Sequence, residues 1–288
     1  MLNTKIISNE PYRISIIDSS IGGCSVLKEL EAGLSNKNVE IYYFGDTAYF
    51  PYSQKTPQQI QARLTTYIPF LQETYHLDMT VFGCITATCV YSQMSDIERN
   101  FTLFNGRHMV ESAAQAAIAH SRTRNNAVAL LGTPVTIELG HFTRALRKEG
   151  PDTRILPIAA PNFAALVHNG NEFTPEGQEE IRRTIASIDH GIDTVILGCT
   201  HFSFLKSSII YHLREQGKAA KLIDPPKILG DAIVSELITE GLTPGKLSTT
   251  FIFTAELDGS AHRQLNQNLG RRVEYSVADI PSKKTGKL

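Results

Sequence analysis

The sequence predicts an α/β fold in which parallel β-sheets are covered by helices on both faces. Apolar runs without polar alternation, such as residues 14–18 (ISIID) and 127–131 (AVALL), are typical of strands that are buried on both faces. The first run is followed by a small-residue loop and then by residues 24–34, whose apolar residues have helical spacing. At 288 residues, the chain is about twice as long as a typical domain of roughly 150 residues. We therefore expect two compact lobes built on doubly wound sheets.

The same succession of strand, loop and helix recurs along the chain. In doubly wound sheets, ligands bind beyond the carboxyl ends of the strands, so the loops after the strands are where function is expected. Helices are expected over residues 136–150 and 224–238, and the second of these is expected to fold back onto the first lobe. The further strand segments with their loops are VEIYYFGD (39–46), MTVFGC (79–84), AVALLGTPV (127–135), TRILPIAAP (153–161) and DTVILGCT (193–200).

Composition excludes several classes of protein. Forty-two per cent of the residues are hydrophobic, which is enough for a large core and excludes a disordered chain. The formal net charge of -1 provides no positive field for nucleic acid or for an anionic membrane surface. No apolar run approaches the roughly 20 residues that span a bilayer, and the first residues lack the pattern of a signal peptide. We expect a cytoplasmic protein without a nucleic-acid or membrane partner.

Two Gly-Cys pairs are the most informative feature of the sequence. VFGCIT (81–86) and ILGCT (196–200) each place Gly-Cys at the carboxyl end of an apolar strand, with Thr close behind. The chain therefore resembles two related halves, with a boundary near residues 105–115. We predict a first domain over residues 1–107, joined by the C-terminal segment 223–288, and a second domain over residues 108–222.

Matched thiols suggest acid-base chemistry on two faces of one small molecule. If Cys84 and Cys199 face each other across a cleft, one can remove a proton from one face while the other returns a proton to the opposite face. This is racemisation or epimerisation without a cofactor. Asp18, at the end of the first strand, is a candidate to orient or deprotonate Cys84, and His201 is the corresponding candidate for Cys199. The hydroxyls of Thr86 and Thr200 lie beside the thiols.

Structural roles remain open for several of these residues. Cys24 and Cys89 are expected to be small buried side chains, since isolated cysteines at such positions usually pack in the core. Asp18 has the alternative role of a helix cap, and His168 and His201 have the alternative of half-buried, hydrogen-bonded histidines. The spacing of the four cysteines predicts neither a disulfide framework nor a zinc site.

Five segments, taken in order, resemble the cofactor-independent glutamate racemases of the aspartate/glutamate racemase superfamily. The resemblance runs from about Ile14 to the helix after Asp224. It implies two similar α/β domains with the active site in the cleft between them, a cofactor-free reaction, a homodimer, and supply of D-glutamate for peptidoglycan. The segments are IDSSIGGCSVLKEL (17–30), YYFGDTAYFPYSQKTPQQI (42–60), VFGCITAT (81–88), GTPVTI (132–137) and ILGCTHFSFL (196–205).

The resemblance also implies roles for individual residues. Cys84 and Cys199 are the two catalytic acid/bases, assisted by Asp18 and His201 respectively. The residues expected to contact a small amino-acid substrate are Asp18, Ser19, Tyr52, Ser53, Ile85, Thr86, His168, Thr200 and His201.

Four positions depart from the usual pattern of the family, and three of them lie in these motifs. Ser20 and Ser53 stand where glycine is usual, Ile85 where asparagine is usual, and His168 where glutamate is usual. Isoleucine offers no polar group to an amino acid. Two alternatives to glutamate racemisation therefore stay open. One is a racemase or isomerase of another small amino or carboxylic acid. The other is a weakly active relative that acts through a protein partner such as gyrase.

Overall fold

The computed structural model describes residues 10–94, 106–107, 109–278 and 280, and it confirms the predicted α/β class with two parallel sheets. All strand pairings between the named strands are parallel. A six-stranded sheet has the order β10-β9-β2-β1-β3-β4 and a four-stranded sheet the order β6-β5-β7-β8. We call the sheets with their helices the first and the second lobe. The strands are β1 (Tyr12–Asp18), β2 (Val39–Gly45), β3 (Met79–Phe82), β4 (Gly106–Arg107), β5 (Ala127–Gly132), β6 (Arg154–Ala159), β7 (Thr194–Gly198), β8 (Lys221–Ile223), β9 (Leu247–Phe253) and β10 (Tyr275–Val277).

The central strands are buried along most of their length because helices cover both faces of each sheet. Ile14 in β1 and Leu130 in β5 are completely buried. The helices are α1 (Cys24–Leu34), α2 (Pro57–Tyr75), α3 (Ile85–Tyr91), α4 (Val110–Ser121), α5 (Pro134–Leu139), α6 (His141–Glu149), α7 (Phe163–Asn169), α8 (Pro175–Ala186), α9 (Lys206–Glu215), α10 (Pro225–Thr239) and α11 (Gly259–Leu269). Among the described residues, no helix is long and apolar enough to cross a lipid bilayer.

The C-terminal part of the chain contributes to the first lobe. Strand β9 pairs with β2 along seven residues, from Val39 beside Leu247 to Gly45 beside Phe253. Helix α10 lies so close to α1 that a Cβ atom at Gly33 would be 2.5 Å from a methyl group of Val234. The proposed domain boundary between residues 107 and 108 stays a prediction, since residue 108 lies outside the described residues.

One predicted helix is divided into two. The sequence favours a continuous helix over residues 136–150, but α5 ends and α6 begins around Gly140. Gly140 has a φ of 63°, in the left-handed region, and its N–H bonds to the carbonyl of Ile137. A left-handed residue ends an α-helix, and glycine adopts this conformation without steric cost.

Candidate active site

The first half of the site is built where β1 and β3 end side by side. Gly83, the residue before Cys84, donates its N–H to the carbonyl of Ile17 at 2.8 Å. A Cβ atom at Gly83 would be 3.0 Å from the Cα atom of Gly23, so only glycine fits without a shift of the backbone. Gly198 in the second lobe has the same role, since its Cβ atom would be 2.8 Å from the carbonyl oxygen of Leu131.

Cys84 lies at the amino-terminal end of α3, where backbone N–H groups point at its sulfur. Its Sγ atom accepts a hydrogen bond from the N–H of Ala87 at 3.4 Å and lies 3.8 Å from the Ser19 hydroxyl oxygen. Burial, together with the negative charge of Asp18, raises the pKa of Cys84 to about 12. The thiol is therefore protonated in this arrangement and needs a nearby cation or base to become a nucleophilic thiolate.

Cys199 occupies the corresponding place after β7. Burial and the neighbouring Cys84 thiol raise its pKa above the usual range. The His201 Nδ1 atom lies 3.9 Å from the Cys199 sulfur. Burial lowers the pKa of His201 to about 3, so its imidazole is neutral in this arrangement. Its Nε2 atom is buried and has no hydrogen-bond partner within the described residues.

Asp18 connects the two lobes at the floor of the site. Its carboxylate accepts hydrogen bonds from the Ser20 N–H at 2.7 Å and from the Thr200 hydroxyl at 3.3 Å. Burial raises the pKa of Asp18 to about 7, although these hydrogen bonds oppose the shift. Asp18 can therefore change its protonation state near neutral pH.

Both cysteines line one small cavity between the lobes. Its volume is about 10 Å³, which is room for about one water molecule. The cavity must therefore enlarge before an amino acid can enter. The lining residues are Ser19, Phe50, Pro51, Tyr52, Ser53, Cys84, Thr86, Thr133, Ala164, Cys199 and His201.

The structure brings most of the residues predicted for the site into this cavity or against its wall. Asp18 and Thr200 lie directly behind the lining residues and are joined by their hydrogen bond. Tyr52 lines the cavity, but its hydroxyl donates to Asp46 at 2.8 Å, so only its ring and backbone are available to a ligand. His168 does not line the cavity and instead bonds to Ser20.

Ile85 is a second predicted site residue that the structure places away from the cavity lining. Its side chain is completely buried in the main hydrophobic core and does not line the cavity. The next residue, Thr86, turns towards the cavity because successive residues of a helix point in different directions. The polar group that an asparagine would carry at position 85 therefore faces the core in this chain.

This placement predicts a loss of stability for Ile85→Asn. The change removes buried apolar contacts and leaves an amide without partners, so the free energy of unfolding should fall by about 3–5 kcal/mol. Ile85→Val, which keeps the core apolar, is the matched control and should cost about 1 kcal/mol. Urea unfolding checks both values. A fully stable Asn variant that binds glutamate more tightly would show that residue 85 faces the ligand.

Four lining residues were not identified from the sequence: Phe50, Pro51, Thr133 and Ala164. Thr133 follows β5 as Ser19 follows β1, so its position at a strand end was the available signal. Its hydroxyl lies 3.1 Å from that of Thr86 in the opposite lobe. Within the described residues, no group of three or more His, Cys, Asp or Glu side chains is arranged to hold a metal ion.

The two parallel sheets meet at the carboxyl ends of their strands, and one strand of each sheet is followed by a thiol at the shared cavity. This arrangement defines a two-lobed α/β enzyme with acid-base groups on both sides of a cavity. Known proteins share this architecture. A glutamate racemase isoform from Bacillus anthracis superimposes with a TM-score of 0.82 at 23% identity, over 94% of this chain and 99% of that one.

Proteins with higher sequence identity give the family. The Thermus thermophilus glutamate racemase in complex with β-chloro-D-alanine is 31% identical, with a TM-score of 0.75 over 92% of this chain and 95% of that one. The glutamate racemase of Lysinibacillus sphaericus is 34% identical over 203 residues, which are 68% of this chain and 71% of the relative. The model of the Asp/Glu/hydantoin racemase family matches residues 14–232. The chain belongs to this family and is an amino-acid racemase, an isomerase that acts on a small molecule.

Proposed function

We propose that the protein interconverts L- and D-glutamate by a two-base mechanism in which Cys84 and Cys199 exchange protons with the α-carbon. The observation that carries the proposal is that these two cysteines, one from each lobe, line the same cavity. The relatives with 29–34% identity are glutamate racemases, which favours glutamate over other small acids and over an action through a protein partner.

The first step requires a thiolate on one side. Both thiols have raised pKa values in the contracted cavity. The ammonium group of a bound amino acid would bring a positive charge beside them and lower these pKa values. Asp18 on one side and the neutral His201 on the other are the groups placed to accept the thiol proton.

Two proton transfers then take place on opposite faces of the α-carbon. The thiolate forms an S–H bond as the α-C–H bond breaks, and the electron pair remains on the α-carbon and its carboxylate. The opposite thiol gives its proton to the other face and becomes the thiolate. The Ala87 N–H donates to the Cys84 sulfur, and the backbone N–H groups of His201 and Phe202 lower the pKa of Cys199, so each sulfur is stabilised when it is charged. The reaction needs no cofactor in this proposal.

The cellular role follows from the product. D-Glutamate supply for peptidoglycan in the cytoplasm is the role we propose, with the chain acting as a homodimer on a small amino-acid substrate. Nucleic acid and membrane are not partners in this proposal.

Isotope exchange tests the reaction. Either enantiomer of glutamate, incubated with the pure protein in deuterated water without pyridoxal phosphate or metal, should gain deuterium at the α-carbon while its optical rotation decays. Nuclear magnetic resonance and polarimetry measure the two processes. The Cys84→Ser/Cys199→Ser double variant is the blank. Exchange with aspartate but not with glutamate would assign a different substrate, and exchange with no amino acid of a panel would refute racemisation.

A further inference from the structure

Two of the positions that depart from the usual family pattern contact each other. The Ser20 hydroxyl oxygen and the His168 Nδ1 atom are 3.0 Å apart, although the residues are 148 positions apart in the chain. Ser20 follows β1 in the first lobe, and His168 lies in the last turn of α7 in the second lobe. Ser20 is completely buried and the His168 side chain is 12% exposed, so water competes little for this hydrogen bond.

The His168 ring is held on two further sides. One face stacks on Phe50, with 4.2 Å between the ring centroids and an interplanar angle of 21°. Its Nε2 atom lies 3.8 Å from a carboxylate oxygen of Asp258, which caps α11. Phe50 lines the cavity and lies 5.7 Å from the His201 ring, measured between centroids. His168 therefore supports a wall of the cavity without lining it.

We propose that His168 is a positioning residue: anchored by Ser20, it holds Phe50 against the cavity and joins the two lobes in the closed form. Because the cavity must enlarge to admit an amino acid, a contact that spans the lobes contributes to the equilibrium between open and closed forms. The form in which Ser20 and His168 are hydrogen-bonded has a cavity of about 10 Å³, which has no room for an amino acid. The contact therefore stabilises the contracted form against the enlarged one and raises KM.

A double-mutant cycle tests the contact, and its kinetic part rests on the proposed glutamate racemisation. Ser20→Ala removes the hydroxyl but keeps the N–H that bonds to Asp18, and His168→Phe keeps an aromatic ring but removes Nδ1. Each change should lower KM for glutamate about two- to tenfold, the effect of one hydrogen bond, with little change in kcat. The KM of the double variant should change no more than that of either single variant. His190→Phe, at an exposed histidine, is the matched control and should leave both constants unchanged.

The alternative outcomes are distinct. A purely structural role would lower kcat through a smaller folded fraction and leave KM unchanged. Additive effects of the two changes would show that Ser20 and His168 act separately. Either result would overturn the proposal.

A fluorescence measurement tests the stacking without any substrate. The chain contains no tryptophan, so Phe50→Trp introduces a single indole against His168. A protonated imidazole quenches indole emission. Burial lowers the pKa of His168, and the charge of Asp258 opposes this shift. His201 is the other histidine that faces position 50. Burial lowers its pKa to about 3, so it stays neutral until the pH falls to about that value.

Emission of Phe50→Trp should therefore fall as the pH drops below about 6.5, the ordinary histidine pKa. The transition should be absent in Phe50→Trp/His168→Asn, where asparagine keeps a polar group near Ser20 but does not titrate. Equal titration of the two proteins would show that His168 does not support position 50. Lack of glutamate turnover by the unaltered protein would instead refute the proposed function and leave this fluorescence result decisive for the contact.

Discussion

Cys84→Ser and Cys199→Ser should each lower the rate of racemisation by about 10³-fold or more, the scale of a lost acid-base group. Every turnover takes a proton from one face of the α-carbon and returns one to the other. A hydroxyl gives up its proton far less readily than a thiol, so a serine cannot serve as the base. Polarimetry with each glutamate enantiomer measures the loss.

Cys89 provides the control for this prediction. Cys89 lies in the same helix as Cys84, but its side chain is completely buried in the hydrophobic core. Cys89→Ala removes a thiol without touching the cavity and should retain the racemisation rate within about twofold below its unfolding temperature, while losing some stability from the small cavity it leaves. Full activity of either serine variant would remove two-base chemistry from the mechanism.

The strands that carry the site could be predicted because burial on both faces requires continuous apolar runs. Residues 14–18 and 194–198 have this character, and both are central in their sheets. The two Gly-Cys pairs could be predicted as sites for a related reason. A glycine at the end of such a strand indicates a close approach of two backbones, as found at Gly83 and Gly198.

Features that depend on the rotation of a helix or on the contact between lobes could not be predicted. Ile85 and Thr86 are adjacent in sequence, but one faces the core and the other the cavity, and the rotation of α3 decides which. Phe50 lines the cavity and stacks on the ring of His168 from the opposite lobe. No local sequence pattern indicates such a contact between residues that are far apart in the chain. The division of the helix at Gly140 could not be predicted either, since a glycine within a helical pattern is compatible with a continuous helix and with a helix end.

Asp18→Asn should abolish most activity and also remove a pH dependence of stability. Loss of the carboxylate that bonds to Thr200 and lies beside Cys84 should lower racemisation by about 100-fold or more. The folded-state pKa of Asp18 is about 7, against an ordinary value of 3.8 for an aspartate in the unfolded chain. As the pH rises from 4 to 7, the unfolded chain therefore loses this proton while the folded protein keeps it. This group alone should lower the free energy of unfolding by roughly 4 kcal/mol across that range.

Asp193 is the matched control because its carboxyl group is also buried, but its pKa is lowered where that of Asp18 is raised. Burial alone would raise its pKa, but hydrogen bonds from Thr194 and from backbone N–H groups lower it overall. Asp193 therefore contributes stability that is present above the unfolded pKa and is lost as the pH falls through the folded pKa. Urea unfolding from pH 2 to 8 should show Asp18→Asn gaining stability relative to the unaltered protein as the pH rises above 4, and Asp193→Asn gaining it as the pH falls below 4. Parallel curves for Asp18→Asn and the unaltered protein above pH 4 would mean that Asp18 is ionised throughout this range and that burial does not raise its pKa.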